Sequence, residues 1–333
     1  MVVGDCNPDV LVLGGDVTPA FGQQEKLVDR ISLEIGGSAS ITAVAAARLG
    51  LRVALVASVG ADAAGRFMLD AIAREGVDVS FVAVLDGMAT GMTVALSSRG
   101  DRAMLTALGA MASVTAADIP AVLLGRVRHV HVSSYFLLAD SLGPGLAGLF
   151  ADFAASGATT SLDTNWDPSG RWCSDEFLPA ALATADLLLP NEAEALALAL
   201  GAAGSAGSVQ PVDSAGSVDS VAGAASALAA LGPRVAVKLG ARGLLCVEGS
   251  ELQQVSLPPV TPVDTTGAGD CCNAGLIAGL LQGMPLAKAA ALGCACGALS
   301  TGAPGGTAAA PALAAAADLA ARASVRQWSP AGE

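Results

Sequence analysis

The sequence predicts an α/β protein built on a mostly parallel central sheet with helices on both faces. Strand-like apolar runs alternate with helix-like stretches from end to end, the pattern that calls for this layering. Turns rich in Gly, Asp and Asn follow several of those strands, where open α/β sheets bind ligands. At 333 residues the chain has room for one large domain or two ordinary ones. With 53% hydrophobic but only 3% aromatic residues, the core has to be made of Ala, Val and Leu. The 40 glycines suit closely packed helices, or a bias towards small residues.

The net charge of −13 argues against nucleic acid, where Lys and Arg supply most non-specific affinity by neutralising phosphates. It does not argue against a nucleotide, for which a few amides and a metal suffice. Seven cysteines without zinc-like spacing are expected to be reduced buried thiols. No basic segment followed by an apolar stretch opens the chain. Mean hydropathy is +0.59, yet Pro304, Pro311 and the Gly302–Gly306 cluster interrupt the longest charge-free run, 289–317. A cytoplasmic protein without membrane segments is expected.

Gly4-Asp5-Cys6-Asn7-Pro8-Asp9 comes first, where only the end of a strand can precede it. A carboxylate such as Asp9 can accept from two neighbouring hydroxyls, although Asn, Pro and Asp also make ordinary turns. Between 10 and 35 short strands are expected. Gly36-Gly37 opens a helix whose Ile41, Val44, Ala45 and Leu49 share one face, ending at Gly50. Leu51 to Val59 reads as a strand, closed by Gly60-Ala61-Asp62-Ala63-Ala64-Gly65, with a helix from Phe67 to Glu75. Segments 79–85 and 90–97 read as β, with a hairpin turn at 100–102 that places Arg102 at its tip.

His129 and His131 lie on one face of the strand 127–133, and strand histidines of this kind are expected to be buried and hydrogen-bonded. Thr159 to Leu162 is another strand, ending on Asp163-Thr164-Asn165. Trp166 and Trp172 suit either packing on a sugar face or anchoring a loop. Pro190-Asn191-Glu192-Ala193-Glu194 follows the strand 186–189. Asn191 and Glu194 suit a capped acidic helix start. Segment 201–216, rich in Gly, Ala and Ser, reads as a flexible inserted loop within one domain. A helix over 218–231 and a strand over 235–238 lead to Lys238-Leu239-Gly240-Ala241-Arg242-Gly243. More β follows over 247–255, a helix spans 286–299, and 325–333 reads as a loose tail.

The chain is organised around Asp264-Thr265-Thr266-Gly267-Ala268-Gly269-Asp270, which lies between an extended segment and the apolar helix 271–282. Gly267 and Gly269 allow consecutive N–H groups to point one way, and the first helical turn adds unpaired donors. That is a site for an anion. Asp270 is placed either to cap the helix or to take a proton from a hydroxyl attacking a phosphoryl group.

This heptad resembles the signature of the ribokinase-like (PfkB-type) carbohydrate kinases at every fixed position. The resemblance covers nearly the whole chain in the family's order, and no Walker-type or G-x-G-x-x-G motif points elsewhere. It implies a three-layer sandwich with a small β-sheet lid, here about 10–35 and 79–106. It implies that Asp270 is the catalytic base and that the amides of Gly267, Ala268 and Gly269 form the anion hole. Asn7 and Asp9, with Gly36 and Gly37, match positions that hold substrate hydroxyls. Lys238, Gly240, Gly243 and Thr265 fall in the nucleotide-binding segments, and Asn191 and Glu194 match the motif acting on Mg2+ mostly through water. ATP, Mg2+ and a monovalent cation (K+) near 300–302 are the implied cofactors, and a homodimer through the lid is the implied assembly.

Two positions depart from the family pattern. Ile41 stands where the family has Asn, which leaves the acceptor open, and Cys272 replaces an aromatic. A nucleoside kinase of the same fold would use the same residues. A pyridoxal-type kinase would lack the lid, and an idle sugar-binding sensor would have no use for Asp270.

Overall fold

The structure is a computed structural model that describes residues 1–98, 101–202 and 218–328. The chain opens with β1 (Val2–Val3), β2 (Asn7–Leu13), β3 (Arg30–Gly36), helix α1 (Ser38–Arg48), β4 (Leu55–Gly60) and α2 (Ala63–Arg74). Strands β5 (Val82–Leu85), β6 (Met92–Ser98) and β7 (Asp101–Ala107) follow. After short 3-10 turns come β8 (His129–Val132), α3 (Tyr135–Ala155), β9 (Thr159–Leu162), α4 (Leu178–Thr184), β10 (Leu187–Leu188) and α5 (Glu192–Ala202). The last third holds α6 (Val218–Ala229), β11 (Arg234–Lys238), β12 (Leu244–Glu248), β13 (Glu251–Ser256), α7 (Ala268–Leu281), α8 (Leu286–Ser300), α9 (Leu313–Ala320) and β14 (Ser324–Gln327).

Among the described residues these strands form a ten-stranded sheet, in the order β14-β13-β12-β11-β10-β9-β8-β1-β4-β5, and a four-stranded sheet, β3-β2-β6-β7. From β5 to β11 neighbouring strands of the large sheet are parallel, and β12, β13 and β14 continue it antiparallel. Both faces are covered, which is why its strands read as nearly continuous apolar runs. Val3 belongs to the core under α3, α4, α5 and α6, while its neighbour Val2 belongs to the core under α1, α2 and α7. The parallel strands all point their carboxyl ends one way. That edge gathers Asp5 after β1, Asp163 after β9, Asn191 after β10 and Lys238 at the end of β11.

Helices α7 and α8 pack almost backbone to backbone. A Cβ on Gly275 would come within 2.8 Å of the Leu292 carbonyl oxygen, and one on Gly297 would come equally close to that of Ala268. Cys272 faces this contact: a Cβ on Gly293 would lie 3.3 Å from its Sγ. An aromatic ring at 272 has no room beside these glycines, so the small residue there matches the tight helix pair.

Three sequence expectations need correction. Segment 79–85 is not part of the smaller sheet, because β5 pairs in parallel with β4 at the edge of the large one. It completes a strand–helix–strand unit with α2, and alternation alone does not say which sheet a strand joins. The smaller sheet also begins earlier than position 10, since Asn7 already pairs with Gly36. The tail is not loose at its start: Val325 pairs with Val255 as β14 closes the edge of the large sheet. All of β14 is exposed, so no apolar pattern announced it. Of the expected inserted loop, 203–216 lies outside the described residues, as do Gly100 and the side chain of Arg102.

Among the described residues α3 is the one helix long and apolar enough to cross a membrane, and 50% of its apolar window is buried within the protein. The run 289–317 that drew attention in the sequence is divided between α8 and α9.

Candidate active site

Helix α7 begins on Gly267, whose φ of 70° is in the left-handed region that favours glycine. Glycine offers no side-chain cap, so the first-turn N–H groups of α7 keep the donor capacity expected of a helix N-terminus. Ala268 differs from the expectation, because its N–H already donates to the Thr265 carbonyl at 3.2 Å. The turn is held in place by Asp264, which accepts from Thr266 N–H at 2.9 Å and from Gly305 N–H at 2.8 Å. Thr265 itself is exposed. Gly267 allows no side chain: a Cβ there would meet Gly306 Cα at 2.6 Å and Ile41 Cγ2 at 3.0 Å.

Asp270 sits in the first turn of α7 with 8% of its surface exposed. Burial, and then the negative charge of Asp163, push its carboxyl up to about 7. The Lys238 charge and the Ser38 hydroxyl act the other way, favouring the carboxylate. Thr42 donates to the Asp270 carbonyl oxygen at 3.4 Å, tying α7 to α1.

The expected substrate residues come together at the root of the smaller sheet. Asn7 pairs with Gly36 in the ladder between β2 and β3, and Asp9 pairs with Thr93 in that between β2 and β6. Asn7 Nδ2 donates to Asp9 Oδ1 at 3.3 Å and to Thr93 Oγ1 at 3.2 Å. Gly36 leaves space for the Asp9 carboxylate, which a Cβ would meet at 2.0 Å, and Gly37, with φ 79°, passes against the Asn7 side chain. Asp5 was not singled out from the sequence, yet it holds the start of α1. Its carboxylate accepts from Ser38 N–H at 3.1 Å and Ala39 N–H at 2.9 Å. Burial raises the Asp5 carboxyl above its ordinary value. Asn165, with φ 54°, donates to Ser38 Oγ at 3.0 Å and accepts from Ser134 N–H at 2.7 Å. Ser38 thus lies between Asn165 and Asp270.

Ile41 does not line this space. It is 3% exposed and packed beneath Gly267 and Gly306, where a Cβ on Gly306 would meet Ile41 Cδ1 at 2.4 Å.

On the other side of Asp270, Lys238 turns its side chain inward and pairs with the fully buried Asp163. Asn273, one turn along α7, donates to the same Asp163 oxygen at 2.6 Å. Both contacts escaped the sequence reading. The backbone after Lys238 makes the expected tight loop: Leu239 N–H donates to Gly243 O at 2.8 Å, with Gly240 at φ 59° and Gly243 at φ 89°. Arg242 of that loop pairs with Glu192.

Asn191 and Glu194 form a reciprocal cap at the start of α5. Glu194 N–H donates to Asn191 Oδ1 at 2.9 Å, and Glu194 Oε2 accepts from Asn191 N–H at 2.8 Å. Burial, then the Asp163 charge, push Glu194 up to about 7. Among the described residues no group of three His, Cys, Asp or Glu could hold a metal ion by itself. Oxygen donors from one acid and one amide instead fit magnesium, which keeps its waters and shares substrate phosphates.

The histidines are buried and hydrogen-bonded, as expected. His129 contacts Thr159 and Ser161, and His131 contacts Ser161 and Ser133, all at 2.7–2.8 Å. Burial lowers His131 to about 4 and lowers His129 as well. Trp172 is buried against Phe136 and anchors its loop, while Trp166, edge-on to it, is 43% exposed.

The profile of the pfkB family carbohydrate kinases matches residues 1–313. The chain belongs to this family. It is 33% identical over 295 residues to a fructokinase of Klebsiella pneumoniae, covering 83% of this chain and 88% of that protein. A ribokinase of Haemophilus influenzae is 28% identical over 303 residues, 90% of each chain. The solved fructokinase of Vibrio cholerae O395, bound to fructose, ADP and calcium ion, superposes with a TM-score of 0.74 at 27% identity, over 96% of this chain and 98% of that one. This PfkB-family protein is therefore a sugar kinase, a phosphotransferase with the ribokinase-like fold.

Proposed function

We propose that this sugar kinase transfers the γ-phosphoryl group of ATP to a primary hydroxyl of a sugar, with Asp270 as the general base. The observation that carries the reading is the Asp270 carboxylate. It is buried in the first turn of α7, is pushed up to about 7, and has the Ser38 hydroxyl from the start of α1 beside it. A base of that strength exchanges protons near neutral pH without holding them too tightly.

Asn7 and Asp9 bind sugar hydroxyls, exchanging their mutual hydrogen bond for bonds to the ligand. Asp270 removes the proton as the sugar oxygen forms its bond to the γ-phosphorus and the bond from that phosphorus to the β-phosphate oxygen breaks. ADP leaves, and the proton goes from Asp270 to solvent. The N–H groups of Gly267 and Gly269 meet the negative charge of the moving group, and Ala268 joins them only by giving up its bond to Thr265. Losing one such donor costs about 3 kcal/mol, roughly a hundredfold in rate. The loop 238–243, with Thr265, lines the path for the nucleotide. Asn191 and Glu194 would hold magnesium through water, and the ion would supply positive charge at the phosphate oxygens. A potassium ion near 300–302 is the remaining part of this reading.

The acceptor belongs to the class shared by the fructokinase and ribokinase relatives, a ketohexose or a pentose. An ATP-consumption assay over fructose, ribose, adenosine and inosine tests this. The wild type is expected to turn over one of the sugars, and Asp270→Asn to fold normally but lose at least a hundredfold in kcat. Turnover of nucleosides alone would replace the sugar by a nucleoside, and wild-type rates in the variant would remove Asp270 from its role.

The smaller sheet carries a further part of the proposal, a homodimer. Ladder pairing aligns Leu33, Val10, Val94 and Leu105 in one row across its outer face, and Ile31 and Val12 lie in the next. Ile31 is 64% and Leu105 66% exposed, more apolar surface than a sheet normally leaves in water. A second copy of the chain covers this face.

A further inference from the structure

Lys238 lies in the segment assigned to the nucleotide, but its side chain does not follow the loop. The Lys238 N–H donates to the Pro190 carbonyl at 2.8 Å, which fixes the end of β11 against the start of the Asn191 turn. From there the side chain crosses the carboxyl edge of the sheet, past β10, to Asp163 at the end of β9. Asp163 is fully buried and is itself held twice more. Asn273 Nδ2 donates to its Oδ2 at 2.6 Å, and Asn165 N–H donates to its Oδ1 at 3.2 Å. The lysine side chain keeps 13% of its surface open. Among the described residues Asp163 is its one recorded acceptor. An ammonium carries three N–H donors, so capacity remains for a ligand.

The side chain also passes beside Gly269. A Cβ built on Gly269 would lie 3.6 Å from Lys238 Nζ and 3.6 Å from its Cδ. The charge therefore sits beside the turn whose amides the reading above assigns to the transferring group. Around it are the carboxyl groups of Asp163, Glu194 and Asp270, which hold the lysine in its charged form. A buried ion pair is rarely retained for stability, since removing two charges from water costs about what their attraction returns. Placed beside developing negative charge in a water-poor site, the same ammonium lowers the barrier, because it needs no reorganisation.

We propose that Lys238 is a catalytic residue of the transfer step. Its ammonium, held by Asp163, meets the phosphoryl oxygens as the group passes Gly269. Asp163 and Asn273 are positioning residues that act through it. The inference rests on the sugar-kinase reading above and adds to it a side-chain cation supplied by β11.

Three variants test it with whichever sugar the wild type accepts. Lys238→Met is expected to lower kcat about a hundredfold while the sugar KM stays within about twofold. It also strands the Asp163 charge, so its melting temperature is expected to fall. Asp163→Asn combined with Lys238→Met removes both charges; its melting temperature is expected to return towards the wild type while kcat stays about a hundredfold low. Lys238→Arg keeps a cation and is expected to retain more kcat than Lys238→Met. Binding of ADP with aluminium fluoride, a mimic of the moving phosphoryl group, is expected to weaken far more than binding of ADP alone. A double variant that turns over within about threefold of the wild type would reduce the pair to a structural one. So would a Lys238→Met enzyme with unchanged kcat, should that variant fold and the double variant not. A wild type inactive towards every sugar would instead overturn the function proposed above, whatever the variants do.

Discussion

Ile41 packs directly under Gly267, its Cγ2 3.0 Å from where a Cβ on that glycine would stand. The residue occupying the family's Asn position is a buried wedge behind the Gly267 turn. Ile41→Ala is expected to leave a cavity under the turn, costing about 2–4 kcal/mol of stability and lowering kcat as Gly267 loosens. Ile41→Asn is expected to do worse, because it buries an amide among Val44, Cys271 and the glycines. Denaturant unfolding and steady-state kinetics check both. An Ile41→Asn enzyme of normal stability with a lower sugar KM would show that the position still faces the substrate.

The pH dependence follows from Asp270. Its carboxyl is pushed up to about 7 by burial and by Asp163, and in the proposed role of base it works only when deprotonated. Below that value kcat/KM is expected to fall tenfold per pH unit, with a plateau above it. Stability runs the other way. Between its ordinary value of 3.8 and about 7 the folded protein holds a proton that the unfolded chain has lost. Stability of the free enzyme is therefore expected to fall as pH rises through that window and to level off above it. Asp270→Asn is expected to flatten this part of the curve, measured by urea unfolding at pH 5 and pH 8. A wild-type curve that rises from pH 5 to 8 by as much as the variant's would contradict the assigned shift.

Asp62 fastens two segments at once. Its carboxylate accepts from Gly65 N–H at 2.8 Å, capping α2, and from Thr90 at both N–H (2.8 Å) and hydroxyl (2.6 Å). These bonds, Thr90's hydroxyl first, hold its carboxyl down at about 2. Asp62→Ala is expected to cost about 1–2 kcal/mol, as loss of a helix cap does. It should also raise the sugar KM, because Thr90 leads into β6, whose Thr93 contacts Asn7. Thermal unfolding and sugar titration measure the two effects separately.

Contiguous motifs were legible because their chemistry is local. The Gly267–Asp270 turn, the Gly36–Gly37 entry to α1 and the Asn191–Glu194 cap each depend on backbone and side chains a few residues apart. What the sequence did not disclose is long-range. Lys238 and Asp163 meet across 75 positions, and Asn273 and Asp163 across 110. Nothing in either segment announces the partner. Asp5 reaches the start of α1 from 33 and 34 positions away, so its role as the anchor of that helix is equally invisible in its own segment. The misplacement of β5 has the same origin, since a four-residue strand reads alike whether it joins the large sheet or the small one.

The outer face of the smaller sheet sets the last test. Leu33 on β3 and Leu105 on β7 lie at opposite ends of one apolar row, 44% and 66% exposed. If a second copy covers them, Leu33→Lys with Leu105→Glu places opposite charges at the two ends of each copy's row. A two-fold partner that brings like positions together then meets repulsion, and either single substitution buries an unpaired charge at the interface. Light scattering on the eluting peak is expected to give a dimer mass for the wild type and a monomer mass for Leu105→Glu. Because Asp9, Thr93 and Gly36 belong to the same sheet, the monomer should also bind sugar more weakly while ATP affinity holds. A wild type that elutes as a monomer, or a variant that stays dimeric, would free this face from the assembly.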